Sequence, residues 1–282
     1  MQITMNNNCN PAYERMFDNL IREVFGFSFA PWLERKLWDE QYESFSIIQD
    51  GIMLSNVCIY KTDMLVHGQS FRAHQFGAIA TRESERGKGF SRRLMEYVLS
   101  LYPDTPAFLY ANPSVVDFYP RFGFRQVHTF RPQLTIAINN SPDKAVKYGV
   151  DSDLIRNALY DKRIYSSIAD NMNTQSIQIF HLLMDYADGI YQLPDCGAIV
   201  IAEQNGGKLF LADVITQKPI SIDELVKELP FSGIEVVEFG FCPEWLDVNP
   251  RWEQVDWGKE PFFVKGDWNL PDAFRFPSMS AT

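Results

Sequence analysis

Apolar positions recur along the chain at two periods, and each change of period marks an element. Met16, Phe17, Leu20, Ile21 and Val24 share one face at helical spacing and predict a helix over residues 11–25. Residues 25–32 interrupt it with an aromatic loop, after which a short helix is expected over 31–38. Phe27, Phe29 and Trp32 in that loop are either core packing or a hydrophobic wall for a bound substrate. Strands over 44–49 and 52–60 flank Asp50-Gly51, a dipeptide suited to the left-handed positions of a tight hairpin turn. A third strand is expected over 71–81. Phe90, Leu94, Val98 and Leu101 then return to helical spacing, and Pro103 stops that helix. Residues 108–111 form an apolar run fit for a buried strand. Asn112 as N-cap and Pro113 in the first turn open a short helix that Gly123 ends.

The second half repeats this order with little repetition of sequence. Residues 130–142, with the turn cluster Asn139-Asn140-Ser141-Pro142, read as a passage into a second unit. Helices are expected over 151–161 and 174–186, and a hairpin over 198–203 and 209–215 about Asn205-Gly206-Gly207. A helix over 220–229 that Ser221 can cap and a strand over 235–241 complete the pattern. The expectation is a mixed α/β (α+β) chain of two domains, residues 1–130 and 131–282.

Composition narrows the function without fixing it. The 282 residues are 46% hydrophobic, enough for a substantial core, and carry a net charge of −10. That charge argues against general affinity for nucleic acid and suits a cationic or neutral substrate. No secretory leader and no uncharged run of membrane-spanning length is visible, so no membrane partner is expected. Cys9, Cys58, Cys196 and Cys242 lie far apart without metal-ligand spacing, which reads as reduced thiols, a cytoplasmic location and no metal. His67, His74, His128 and His181 form no constellation with Ser or Cys and receive no role.

The candidate chemistry sits where the strand over 71–81 meets the next helix. Gly87 and Gly89 allow a sharp bend and close approach of a ligand, and a helix starting near Phe90 presents unpaired amides and its positive dipole end to the same turn. Arg82, Arg86, Lys88, Arg92 and Arg93 make the turn basic in an acidic chain. The pattern suits a phosphate. It is neither a Walker loop nor a dinucleotide fingerprint.

Ile79-Ala80-Thr81 with Arg86-Gly87-Lys88-Gly89, followed by Asn112 and then Phe118-Tyr119 to Gly123-Phe124, resembles the two signature motifs of the GNAT superfamily of acyl-CoA N-acyltransferases. The added C-terminal half makes the chain most similar to the Eis-type branch, although Eis-type proteins are longer and carry a further module. The resemblance implies a GNAT fold with a mixed central sheet followed by a degenerate GNAT-like unit. It implies an acetyl-CoA-dependent N-acetyltransferase acting on a small-molecule primary amine, with a non-catalytic acyl-CoA sensor as the alternative. Ile79, Ala80 and Thr81 would meet the pantetheine arm, and Arg86, Gly87, Lys88, Gly89, Phe90 and Ser91 the phosphates. Ser84 stands where the family often has Gln or Arg. Asn112 would approach the arm, and Tyr119 would protonate the departing thiolate. In the Eis-type branch the terminal carboxylate acts as base, which makes Thr282 the candidate, with Glu83, Glu85 or a water as alternatives. Gln217-Lys218-Pro219-Ile220 stands in the second half where the first has its glycine turn, so no second CoA site is expected. The amine and the oligomeric state stay open.

Overall fold

The computed structural model describes residues 2–6, 10–141 and 145–281. Its elements are β1 (Ile3–Asn6), α1 (Pro11–Phe25), α2 (Ala30–Glu34), β2 (Tyr42–Gln49), β3 (Ile52–Val66), β4 (Gln69–Thr81), α3 (Phe90–Leu101), β5 (Ala107–Tyr110) and β6 (Arg125–Val127). The second half adds β7 (Phe130–Asn139), β8 (Val146–Lys147), α4 (Asp153–Tyr160), β9 (Ala169–Met172), α5 (Gln175–Met184), β10 (Ile190–Leu193), β11 (Ala198–Asn205), β12 (Lys208–Thr216), α6 (Ile222–Val226), β13 (Ser232–Phe239), β14 (Arg251–Gln254) and β15 (Phe262–Lys265).

Local chemistry explains the element ends. The Asn10 side chain accepts hydrogen bonds from the amides of Ala12 and Tyr13 at 3.1 and 3.2 Å, and Gly26 at φ 79° closes α1. Asp50 and Gly51 both take left-handed backbone, φ 51° and 74°, as the two-residue hairpin between β2 and β3 requires.

The strands make two mixed sheets, ordered β1-β2-β3-β4-β5-β15-β6, with β9 added on β3, and β14-β7-β13-β12-β11-β10-β8. Each holds one parallel pair, β4 with β5 and β12 with β13, and a helix crosses between its strands. The second half lends strands to the first sheet. β15 lies between β5 and β6, while β7 follows directly after β6 and lies between β13 and β14. The first sheet is therefore completed by the second half. A division after residue 130 follows the sheets in chain order except for β9 and β15.

α3 and the 3-10 helix Pro113–Phe122 cover one face of the first sheet over Phe45, Val57, Phe76 and Leu109. α1 and α2 cover the other over Tyr42, Met53 and Tyr60. In the second sheet α6 covers Val200, Leu211 and Val237, and α4 and α5 cover Ile199, Ile201 and Ala212. The start of α5 is tied back to the first half: the Trp32 indole donates to the Ser176 carbonyl at 2.8 Å and the Tyr60 hydroxyl to the Asn173 carbonyl at 2.9 Å.

Two expectations change. Residues 130–139 form a ten-residue strand instead of a passage. Leu134, Ile136 and Ile138 pack on the core of the second sheet, and Pro132 is accommodated near the strand start, opposite Trp252. In the aromatic loop, Phe29 and Trp32 are core residues, buried among Phe17, Trp38 and Tyr42, whereas Phe27 is exposed.

Candidate active site

β4 and β5 pair only at His74 with Ala107 and Gln75 with Phe108. Beyond these pairs the two strands part, and among the described residues the β5-facing edge of β4 from Phe76 to Thr81 has no strand partner. Unpaired strand amides and carbonyls seek partners, so this edge can take an extended ligand. The opposite edge of β4 is held firmly by β3 through a bulge. Ala78 adopts φ 45°, and the fully buried Asn56 donates to its carbonyl at 3.1 Å while Ser55 donates to the Ala80 carbonyl at 2.9 Å.

The open edge leads into the glycine turn. Gly87 and Gly89 stand at φ 81° and 79°, and a Cβ on either would meet nothing within 4 Å, so the space above the turn is free. No side chain caps the start of α3, and its first amides are left for a ligand. Thr81 and Ser91 join the strand end to the helix start through hydroxyls 2.6 Å apart, and Thr81 also meets Ser55 at 2.7 Å. Lys88 is paired with Glu85 at 2.8 Å, and Arg82 with Glu23. Arg86 and Arg93 are exposed and have no ion-pair partner among the described residues.

The corresponding place in the second half is closed. Ser221 and Glu224 form a reciprocal capping box at the start of α6, which satisfies its amides internally. Where β12 and β13 part, the C-terminal segment fills the gap: the Ser278 amide donates to the Gly240 carbonyl at 2.7 Å, and the Gly240 amide to the Leu211 carbonyl at 2.8 Å. A Cβ on Gly240 would collide with Ser278 and with the Ala212 backbone.

Asn112 stands at the end of β5, on the far arm of the opening. Its side chain accepts from the Ser114 amide at 2.9 Å, so it caps the short helix. Tyr119 on that helix is 5% exposed and packs edge-on against Phe118 and at a tilt against Phe263, in the same cluster as Ile79 and Phe90. Burial pushes its pKa up to about 12, and no hydrogen-bond partner for its hydroxyl is present among the described residues. Ile79, Ala80, Thr81, the turn, Phe90 and Ser91 thus follow one another along the open edge, and Tyr119 belongs to the apolar cluster on which Ile79 and Phe90 pack. Thr282 lies outside the described residues. The segment before it is anchored: Phe274 and Phe276 are buried on Phe262, Met279 is fully buried, and His181 Nε2 meets the Ala281 carbonyl at 2.6 Å.

Asn56 and Ser55 were not singled out by the sequence, although a polar pair within an otherwise apolar strand was the available signal. Tyr110, Glu260 and Arg275, brought together from distant stretches, left no such signal.

Residues 9–127 match the family model of the acetyltransferase (GNAT) domain. No curated protein sequence matches the chain. Among solved structures, Eis1 from Mycobacterium abscessus aligns at 13% identity and TM-score 0.57, covering 94% of this chain and 73% of that one. A GCN5-related N-acetyltransferase from Anabaena variabilis ATCC 29413 aligns at 13% identity and TM-score 0.58, covering 93% and 72%. One from Kribbella flavida aligns at 12% identity and TM-score 0.55, covering 93% and 71%. These likenesses establish the fold: a GNAT unit with a mixed central sheet, followed by a second GNAT-like unit.

Proposed function

Because the chain carries a GNAT acetyltransferase domain, we propose that it moves an acetyl group from acetyl-CoA to the primary amine of a small molecule. The observation that carries this reading is the open edge of β4 running directly into a helix start that no side chain caps. The backbone of Ile79, Ala80 and Thr81 pairs with the pantetheine arm, and Asn112 approaches it from the β5 side. The amides of Arg86 to Phe90 receive the pyrophosphate, with Lys88 and Ser91 beside them and Arg86 supplying charge.

Holding both reactants on this edge makes the attack effectively intramolecular, the largest contribution available to such a transfer. The neutral amine attacks the thioester carbonyl, the new C–N bond forms, the C–S bond breaks, and the thiolate takes a proton from Tyr119. A phenol whose pKa is pushed up by burial is fully protonated at neutral pH, as a donor must be. The amine's own proton goes to a base, for which the carboxylate of Thr282 is the first candidate and Glu83, Glu85 or a water the alternatives. Appending a peptide after Thr282 turns that carboxylate into an amide and is expected to abolish turnover; unchanged turnover moves the base elsewhere.

A cytoplasmic site of action is part of the proposal, supported by the free, buried thiols of Cys58, Cys196 and Cys242. Among the described residues no helix is long and apolar enough to cross a membrane. The decisive experiment is thiol release from acetyl-CoA across a panel of primary amines. Tight CoA binding with no release on any amine would replace the enzyme by an acyl-CoA sensor.

A further inference from the structure

Across β5 from the opening lies a charged network built by β7, β13 and the segments flanking β15. β15 runs antiparallel to β5, with Phe262 opposite Tyr110, and the Ala111 amide donates to the Pro261 carbonyl at 2.8 Å. Glu260, the next residue out, is therefore level with Asn112, one strand beyond β5 from the opening. It accepts from Arg275 at 2.8 Å and from Arg131 on β7. Arg131 reaches on to Glu238 of β13 at 4.0 Å, and Glu238 is also held by Lys208 and by Gln133, whose amide bridges to Glu253 at the rim.

Within this network the carboxylates are committed and one cation is not. Glu260 and Glu238 each accept from two or more donors. Arg275 gives a single side-chain hydrogen bond, from Nη1, and among the described residues its Nε and Nη2 have no partner. The guanidinium is deep but not sealed, with 13% of its side chain exposed. Its backbone is fixed on both sides: Phe274 and Phe276 are buried, and Cys242 Sγ meets the Arg275 amide and carbonyl at 3.3 and 3.2 Å. Tyr110, whose pKa burial pushes up to about 12 while the charge of Arg275 pulls it down, keeps its phenol protonated within electrostatic reach of the same guanidinium.

A spare, immobilised guanidinium beside a neutral phenol is a donor array for a planar anion. An ammonium group would have to break an existing ion pair to enter, whereas a carboxylate completes what Arg275 lacks. We propose that Arg275, with Tyr110, anchors a carboxylate on the acyl acceptor, so that the amine substrate is an amino acid or a short peptide bearing a free carboxylate. This rests on the acyl-transfer reading above and names its substrate class. Arg275 is a specificity-determining residue here and takes no part in proton transfer.

The test compares matched pairs, the standard amino acids and their carboxamides, by calorimetric binding to the protein saturated with CoA and by thiol release from acetyl-CoA. The carboxylate forms are expected to bind and react better by roughly tenfold to a hundredfold, the scale of one charge-assisted hydrogen-bonded pair. Glu260 keeps Arg131 when Arg275 is replaced, so the variant is Arg275→Gln, which retains a neutral hydrogen-bond donor toward Glu260. It should raise KM for the carboxylates, leave the carboxamides unchanged and so erase the preference. Equal binding of acid and amide by the wild type overturns the inference and leaves acyl transfer standing. Carboxylate-dependent binding without thiol release from any amine does the reverse. An Arg275→Gln variant that instead loses only a preference for succinyl-CoA over acetyl-CoA would place the carboxylate on the acyl group and overturn its assignment to the acceptor.

Discussion

Gly87 and Gly89 hold backbone that other residues adopt at a cost of about 1–2 kcal/mol, yet a side chain at either would project into free space. Gly87→Asp and Gly89→Asp should therefore fold with a modest loss of stability while placing a negative charge at the proposed pyrophosphate position. CoA affinity is expected to fall on the order of a hundredfold, read by calorimetry. Unchanged affinity in both would remove the turn from the CoA site. Tyr119 allows the complementary experiment. Its hydroxyl has no partner within the described residues, so Tyr119→Phe should leave melting temperature and CoA affinity alone and lower kcat by roughly a hundredfold, as expected for loss of a general acid. Wild-type turnover in that variant would leave the ring with a packing role only.

At the level of elements, two strands bury titratable groups whose effects on stability oppose each other. His74 sits on β4 at the last pairs before the opening, and burial, aided by Lys61, lowers its pKa from 6.5 to about 4. Between those values the unfolded chain binds the extra proton, so this residue makes stability rise with pH. Asp170 on β9 is raised by burial from 3.8 to about 6, so there the folded chain binds the extra proton and stability falls as pH rises. The two windows overlap. Wild-type stability should vary little from about pH 4.5 to 6, whereas Asp170→Asn should leave a rise and His74→Gln a fall, read from urea midpoints across that range. A flat profile in both variants would contradict these protonation states. The same scale shows what a sequence can disclose. α1, the Asp50-Gly51 hairpin, β4 and α3 were legible because period, cap and turn chemistry agree locally. The Gly-Lys-Gly turn was legible for the same reason, since its left-handed glycines and uncapped helix start depend only on nearby residues. β7 was obscured by Pro132 and the following asparagines, although its alternation was present. β15, four residues long, has meaning only between β5 and β6, and no local pattern assigns a strand to a partner more than a hundred residues away. Arg275 and Glu260 were hidden for that reason too.

For the whole molecule the placement of β15 sets the unit of folding. A fragment of residues 1–130 lacks β15, leaving β5 and β6 without the strand that joins them and Phe108 without Phe262 and Phe276. It is expected to be insoluble, or to lack a cooperative thermal transition, despite containing the whole glycine turn and Tyr119. Adding residues 131–282 as a separate chain should restore a soluble complex, and a fragment that melts cooperatively alone would show that β15 is dispensable.

The placement of β15 also has a consequence in time. A ribosome releases the glycine turn, α3 and β5 long before it reaches Phe262, and at about 5–20 residues per second the first sheet waits many seconds for its inner strand. During that interval the paired apolar strands β2, β3 and β4 can form, but the inner edges of β5 and β6 face the cell as bare strand edges. Closure of the first sheet would then arrive as one late event, when a single short strand enters between β5 and β6 and carries Arg275 into place behind it.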